Sequence, residues 1–140
     1  MRKPYRVAIV VVWAALFIAW TVALLRPIPQ QVVHAVGGAQ PSFWIAKTLH
    51  VSVYAGLSVL IAWLPFPRRW RLVLLAVLYL HGGATEFFQQ WVPGRTASWW
   101  DVARDSLGTT IGVLLCCRRW RVGDDLRRET PQEEIKADRG

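Results

Sequence analysis

Carboxylate and imidazole side chains are scarce in the apolar part of this chain, so each one is a candidate for chemistry. Only three acidic residues precede Arg121, and they are Glu86, Asp101 and Asp105. Acids and imidazoles in apolar surroundings can serve as general acids and bases, because burial changes their proton affinity. The candidate catalytic residues are His50, Glu86 and Asp101.

Helical spacing groups the polar residues into three stripes. Residues three, four or seven positions apart lie on the same face of a helix. The stripes are Lys47, His50 and Tyr54; Glu86, Gln89 and Gln90; and Asp101 and Asp105, which Gly108 and Gly112 continue. We expect the three stripes to meet, with Arg95 entering from the connection before the last one. The predicted ligand-binding residues are Lys47, His50, Tyr54, Glu86, Gln89, Arg95, Asp101 and Asp105.

Motifs for metal binding and for nucleophilic catalysis are missing from the sequence. It contains neither an H-E-x-x-H helix nor a G-x-S-x-G turn. The sequence therefore predicts no metal and no cofactor, with a metal site made by His50, Glu86 and Asp101 as the disfavoured alternative. Cys116 and Cys117 are adjacent and lack metal-ligand spacing, so we interpret them as lipid-facing residues or palmitoylation sites.

Each candidate residue also has a purely structural interpretation. Glu86 can form an ion pair or hydrogen bond with Lys47 or Arg95 that only fixes helix packing. Lys47 can extend towards the membrane surface, and Asp101 can cap the amino terminus of the last helix. Arg95 can bind an anionic headgroup or simply close the site. His81 is interpreted as a hydrogen-bonded packing residue.

Four apolar segments predict an all-α, polytopic membrane protein with about four transmembrane helices. The segment from Val7 to Leu25 has 19 consecutive uncharged residues, which is the length that crosses about 30 Å of hydrocarbon. It exceeds the apolar core of a signal peptide, so we expect it to be retained. Backbone groups in lipid must be satisfied within each segment, which favours helices. The predicted helices are residues 7–25, 43–64, 72–92 and 99–117.

The transmembrane domain is predicted over residues 5–117, and a charged tail follows at residues 118–140. From Asp124 onward the tail contains one Leu and one Ile among polar and charged residues. So little apolar surface cannot offset the entropy lost on folding, and the tail is therefore predicted to be disordered.

Lysine and arginine cluster on one side of the predicted bundle. Of 17 basic residues, three precede the first span, three lie within residues 65–71 and seven lie from Arg118 onward. Basic residues favour the cytoplasmic side of a membrane, so both termini are predicted to be cytoplasmic. This distribution accounts for the net charge of +8 without nucleic acid as a partner.

The candidate residues also share a depth in the predicted helices. Counting about 1.5 Å per residue from the predicted helix ends puts Lys47 and His50 about 6 and 10 Å deep, and Glu86 and Gln89 about 9 and 5 Å deep. Asp101 lies where the last helix begins. All of them fall in the layer of the outer leaflet, so the predicted site faces the outside of the cell.

These motifs, in this order, resemble the VanZ-like family. The patterns are K-x2-H-x3-Y from Lys47 to Tyr54, E-x2-Q-x5-R-x5-D from Glu86 to Asp101, and G-x3-G from Gly108 to Gly112. The resemblance covers about residues 5–117. The family comprises small bacterial membrane proteins and is named for an accessory protein of teicoplanin resistance. Its members often have Asn where this chain has Asp105, which adds a charge or a proton to the site.

The resemblance implies a multi-pass protein of the bacterial cytoplasmic membrane that acts on the cell envelope. The expected partner is a membrane lipid or a lipid-linked envelope intermediate, bound through an anionic group at the outer leaflet, with an effect on susceptibility to teicoplanin-type glycopeptides. The alternatives are an intramembrane acid–base enzyme acting on a lipid phosphate, and a small proton-coupled transporter subunit. The sequence leaves the ligand and the oligomeric state open.

The distribution of basic residues predicts the topology directly. Reporter fusions after Pro41, Arg69, Thr96 and Arg128 should read outside, inside, outside and inside, because the fusion points alternate between the basic-poor and basic-rich sides. The measurement is paired alkaline phosphatase and fluorescent-protein activity in a bacterial host. An outside signal at Arg69 would reverse the orientation and remove the outer-leaflet site with it.

Overall fold

The protein is entirely helical over the part of the chain that the structure describes. This computed structural model describes residues 3–27, 29–35, 39–95, 97–117 and 119–120, and no strand occurs among them. The helices are α1 Lys3–Leu24, α2 Gln30–Ala35, α3 Ala39–Trp63, α4 Arg68–Gln89 and α5 Trp99–Leu115. The prediction of an all-α bundle is confirmed.

Three of the helices are long and apolar enough to cross a membrane. The spans are Pro4–Leu24, Ser42–Trp63 and Arg68–Gln89. α1 buries little of its surface within the protein, which leaves most of its valine, leucine and isoleucine side chains for contact with lipid. α5 has 17 residues, so its crossing of the membrane stays a prediction.

The helix boundaries differ from the predicted ones in several places. α2 was not predicted, because six residues are too few for a periodic pattern. α3 begins at Ala39 and α4 begins at Arg68, where residues 65–71 were predicted as a loop. Pro67 explains the early start of α4, because its carbonyl accepts the N–H groups of Trp70 and Arg71 at 3.0 and 3.2 Å.

The carboxyl end of α4 also differs, because α4 ends at Gln89 rather than at residue 92. The next N–H groups form i→i+3 turns instead, including Val92 to the Gln89 carbonyl at 3.0 Å. Gly94 then takes φ +75°, a conformation that residues with a Cβ rarely adopt. This turn sends the chain back into α5.

α3 and α5 run parallel and form the closest helix pair of the bundle. A Cβ added at Gly108 would collide with the Val51 carbonyl oxygen, and one at Gly112 would lie 2.5 Å from the Ala55 carbonyl oxygen. Ser58 donates from its Oγ to the Thr109 carbonyl at 3.0 Å. Two glycines four residues apart therefore let the two backbones touch.

The bundle has two ends, which we name for an arginine at each. At the Arg95 end, α1 and α4 finish and α3 and α5 begin. At the Arg71 end, the Ala62 carbonyl near the end of α3 accepts hydrogen bonds from Arg71 Nη1 at 3.0 Å and from Arg119 Nε at 3.2 Å. Two cations thus cap the negative end of the α3 dipole.

The apolar core lies towards the Arg71 end. Its buried members are Tyr54, Leu57, Ile61, Ala62, Leu64, Leu75, Leu78 and Trp120. Because Trp120 is part of the core, the folded region extends past residue 117, which was the predicted boundary. The rest of the tail predicted to be disordered, residue 118 and residues 121–140, lies outside the described residues.

We expect Gly108→Ala to destabilise the protein, because the Val51 carbonyl is backbone and cannot rotate away from the new methyl group. The free energy of unfolding in detergent should fall by about 1–3 kcal/mol, the usual cost of overpacking. Gly56→Ala on α3 is the matched control, because nothing lies within 4 Å of its added Cβ. Equal unfolding temperatures for the two variants would contradict the close approach of α3 and α5.

Candidate functional site

Buried polar residues collect at the Arg95 end of the bundle, where α3 and α5 begin and α4 finishes. The residues of this polar cluster are Lys47, His50, Glu86, Gln89, Asp101 and Asp105. Five of them are 4 % exposed or less, and the Lys47 side chain is 17 % exposed. All six were predicted to share a site, and the structure brings them to one end of the bundle.

His50 and Asp105 form the deepest contact of the polar cluster. The Nδ1 atom of His50 lies 2.7 Å from Asp105 Oδ1. Gly82 on α4 makes room for this carboxylate, since a Cβ there would lie 3.1 Å from Asp105 Oδ2. The Trp20 ring of α1 packs edge-on against the imidazole, with the ring centroids 5.6 Å apart. Three helices therefore fix the position of His50.

Asp101 pairs with two cations rather than capping α5. Its Oδ2 accepts from Lys47 Nζ at 2.5 Å, and its Oδ1 accepts from Arg104 Nη1 at 2.8 Å. Ser98 is the residue before the helix, and Asp101 lies in the first turn. The interpretation of Asp101 as the cap is therefore wrong, although the helix dipole still favours a carboxylate in this turn.

Glu86 is held by the backbone of the chain that leads into α5. Its Oε2 accepts the Ser98 N–H at 2.8 Å, while its Oε1 is buried and has no hydrogen-bond partner among the described residues. The predicted direct partners, Lys47 and Arg95, bond elsewhere. Burying a carboxylate oxygen without a hydrogen-bond donor costs free energy. A ligand that donates to Oε1 would remove this cost.

Three of these side chains converge on a single point. One ligating atom from each of His50, Glu86 and Asp101 lies within 4.8 Å of the other two. These are the residues that the sequence singled out as candidate catalytic groups. The neighbouring Gln89 is 3 % exposed, and its buried Nε2 also has no partner within the described part of the chain.

The helix ends change the distances counted along the helices, while the depth of these residues in a membrane stays a prediction. Because α3 begins at Ala39, Lys47 and His50 lie about 12 and 17 Å from its start rather than 6 and 10 Å. Because α4 ends at Gln89, Glu86 lies only about 4.5 Å from its end. α3 therefore extends beyond the last turn of α4, and its residues 47–50 come level with that turn.

Arg95 closes the end of α1. Its Nη2 donates to the Ala23 carbonyl at 2.9 Å, and its Nε donates to the Arg26 carbonyl at 3.3 Å. Burial lowers the pKa of this guanidinium, whereas the carboxylates of Glu86 and Asp101 act in the opposite direction. The sequence allowed Arg95 either to bind an anionic headgroup or to close the site. The structure shows the closing contacts, and the remaining N–H groups of Arg95 can still donate to an anion.

Tyr54 shares a stripe with His50, interacts with the Asp105 side chain, and also belongs to a second network. Thr21 Oγ1 donates to the Phe17 carbonyl at 2.8 Å, so it accepts from His81 Nε2 at 2.9 Å. His81 Nδ1 then accepts from the Tyr54 hydroxyl at 2.8 Å. His81 is therefore a neutral, hydrogen-bonded packing residue, as its sequence interpretation has it. The network holds α1, α3 and α4 together beneath the polar cluster.

Two cavities reach the polar cluster from different sides. The first has a volume of about 290 Å³ and is lined mainly by apolar residues of α1 and α3, together with His50 and Arg95. The second has the same volume and lies between α4 and the start of α5, where Glu86 and Ser98 line it. Both the imidazole and the Glu86 carboxylate are therefore next to space that a ligand can enter.

Two contacts of this site were not predicted from the sequence. Arg104 pairs with Asp101, three residues before it, a helical ion-pair spacing that was available as a signal. Ser98 contributes only its backbone N–H, and no sequence pattern indicates such a contact.

Comparison of the chain with protein-family models, with curated proteins and with solved structures finds no match.

The pairing of Lys47 with Asp101 generates a prediction about stability. Asp101→Asn should lower the free energy of unfolding by about 3–5 kcal/mol, because it leaves cations buried without their partner. Lys47→Met should cost less, since Arg104 still neutralises Asp101. Chemical denaturation in detergent should give a coupling energy of at least about 0.5 kcal/mol for the double variant. Arg69→Met, exposed at the Arg71 end, should instead be additive with Asp101→Asn.

Proposed function

We propose that the chain is a VanZ-like protein of the bacterial cytoplasmic membrane that binds the anionic headgroup of a lipid-linked envelope ligand. Both termini lie in the cytoplasm, and the Arg95 end faces the outside. The observation that carries the proposal is the cavity along α1 and α3. Its lining is mainly apolar but includes His50 and Arg95, so it suits a molecule with an acyl or polyprenyl chain and a polar head.

The charges at the end of this cavity favour an anionic head. Arg95 spends two of its five N–H groups on the carbonyls of α1. The remaining N–H groups can donate to a phosphate or carboxylate while Arg95 keeps closing the helix. Charge-assisted hydrogen bonds of this kind contribute roughly 1.5–3 kcal/mol each. Two of them suffice to select an anionic lipid without any catalytic step.

An intramembrane acid–base enzyme acting on a lipid phosphate is the second candidate. The observation in its favour is the contact between His50 and Asp105, beside the unpartnered oxygen of Glu86. A histidine oriented by a carboxylate is a common general base. Release of inorganic phosphate from a purified lipid phosphate would identify this activity, and binding without release would favour the first candidate.

The binding proposal is tested by identifying the lipid that stays bound to the chain during purification. Protein purified in mild detergent should retain an anionic lipid that mass spectrometry detects, and Arg95→Ala should lose it. Arg69→Ala is the control, because Arg69 is exposed at the Arg71 end and has the same charge. Equal lipid content in the two variants would count against a headgroup site at Arg95.

Overexpression provides the test in cells. We expect the wild-type chain to change the inhibitory concentration of teicoplanin, a glycopeptide with a lipid tail. Glu86→Gln and Arg95→Ala should each abolish the change. Arg95 lines the cavity along α1 and α3, and Glu86 lines the cavity between α4 and α5. Arg69→Ala should retain the change. The measurement is the inhibitory concentration at matched membrane expression. Full activity of both cluster variants would leave only a structural role for these residues.

A further inference from the structure

We propose that His50, Glu86 and Asp101 bind one divalent transition-metal ion, of the zinc or manganese type. The sequence predicted no metal, because it contains no metal-binding motif. The proposal adds a metal to the polar cluster and does not rest on lipid binding. It stands on the position of three ligating atoms, the orientation of His50, the unpartnered oxygen of Glu86 and the balance of charge around them.

The three ligating atoms are close enough to share one ion. They lie within 4.8 Å of one another. Bonds of about 2.0–2.2 Å from zinc to nitrogen or oxygen put the ligands of a tetrahedral site roughly 3.3–3.6 Å apart. A pair at this limit must therefore close by about 1.2–1.5 Å when the ion binds.

The orientation of His50 is the one that metal-binding histidines have. Asp105 Oδ1 lies 2.7 Å from Nδ1 of the imidazole, so the proton of neutral His50 is held on Nδ1. The lone pair is then on Nε2, and this is the nitrogen that we assign to the metal. A carboxylate on the far side of a ligating histidine fixes its tautomer and increases its basicity. Asp105 takes this supporting role.

Glu86 provides an independent observation. This side chain is 4 % exposed, and its Oε1 has no hydrogen-bond partner within the described residues. Its other oxygen is fixed by the Ser98 N–H, so the carboxylate is already oriented. Buried carboxylate oxygens usually have a donor or a metal. A cation shared with His50 and Asp101 satisfies Oε1.

The charges of the cluster leave an excess of acid around His50. Lys47 and Arg104 both pair with the same carboxylate, that of Asp101. Among the described residues no Lys or Arg forms an ion pair with Glu86 or Asp105. Three carboxylates against Lys47 and Arg104 leave a net charge of −1, so it is the two carboxylates without an ion pair, and not the overall charge, that favour a cation here. Lys47 and Arg104 compete with that ion for the oxygens of Asp101, which makes substitution of Lys47 informative.

One imidazole and two carboxylates form a mixed nitrogen and oxygen ligand set. Such a set suits zinc and manganese, and affinity is expected to be highest for zinc, lower for manganese and lowest for magnesium. His50 and Glu86 line two different cavities. The remaining coordination positions would therefore be open to water or to an oxygen of a bound headgroup.

The test is metal binding by the full chain, purified in detergent without a polyhistidine tag and stripped with a chelator. Competition with a zinc-sensitive dye should give one zinc ion per chain, and cobalt should produce visible absorption bands of a low-coordinate site. His50→Ala and Glu86→Gln should weaken zinc binding by more than 100-fold, beyond the roughly 10–100-fold expected for the supporting change Asp105→Asn.

Two further variants keep the result interpretable if a ligand variant fails to fold. Lys47→Met should bind zinc more tightly than the wild type, because it removes the competing ammonium group from Asp101. His81→Gln should bind zinc normally, since both nitrogens of His81 bond hydroxyl groups. Absence of saturable zinc or manganese binding by the folded wild type would overturn the proposal, as would unchanged affinity in folded Glu86→Gln.

The metal and lipid proposals can fail separately. Metal binding is measured in detergent with no envelope lipid added, and lipid retention is measured both before and after the chelator. Zinc binding without lipid retention would leave the metal site standing and remove the headgroup site. Lipid retention in a chain that binds no zinc would leave the headgroup site standing and remove the metal site.

Discussion

The contact between the backbones of α3 and α5 is the constraint on which the rest of this structure depends. Gly108 lies against the Val51 carbonyl and Gly112 against the Ala55 carbonyl. Because the two helices run parallel, the same register sets Lys47 opposite Asp101 and His50 opposite Asp105. Side chains at these positions must meet whatever their charge. The α3 and α5 part of the polar cluster therefore follows from two missing side chains one turn apart.

Within the cluster, the polar groups differ in how fully they are satisfied. Asp101 has two cationic partners, whereas Glu86 has a single backbone N–H for two oxygens. Asp101 joins α3 to α5, whereas Glu86, with one unsatisfied oxygen, lines a cavity. In a bundle with its core towards the opposite end, this asymmetry separates the residues that maintain the fold from those available to a ligand.

The sequence predicted the helices and most of the cluster, because apolar length and helical spacing are local properties. Lys47, His50 and Glu86 were found from spacing alone. The helix ends were less accurate: the Pro67 carbonyl extends α4 at its start, and a turn around Gly94 shortens it. Contacts to backbone groups, such as Arg95 with the end of α1, were beyond reach because they depend on tertiary placement.

Gly82 has an evolutionary consequence. A methyl group at this position would lie 3.0 Å from Asp105 Cβ and 3.1 Å from its Oδ2. Alanine at position 82 would therefore require Asp105 to shift by a few tenths of an ångström. The two positions are separated by more than twenty residues along the chain, yet the size of one side chain limits the size of the other. In homologous chains they should covary.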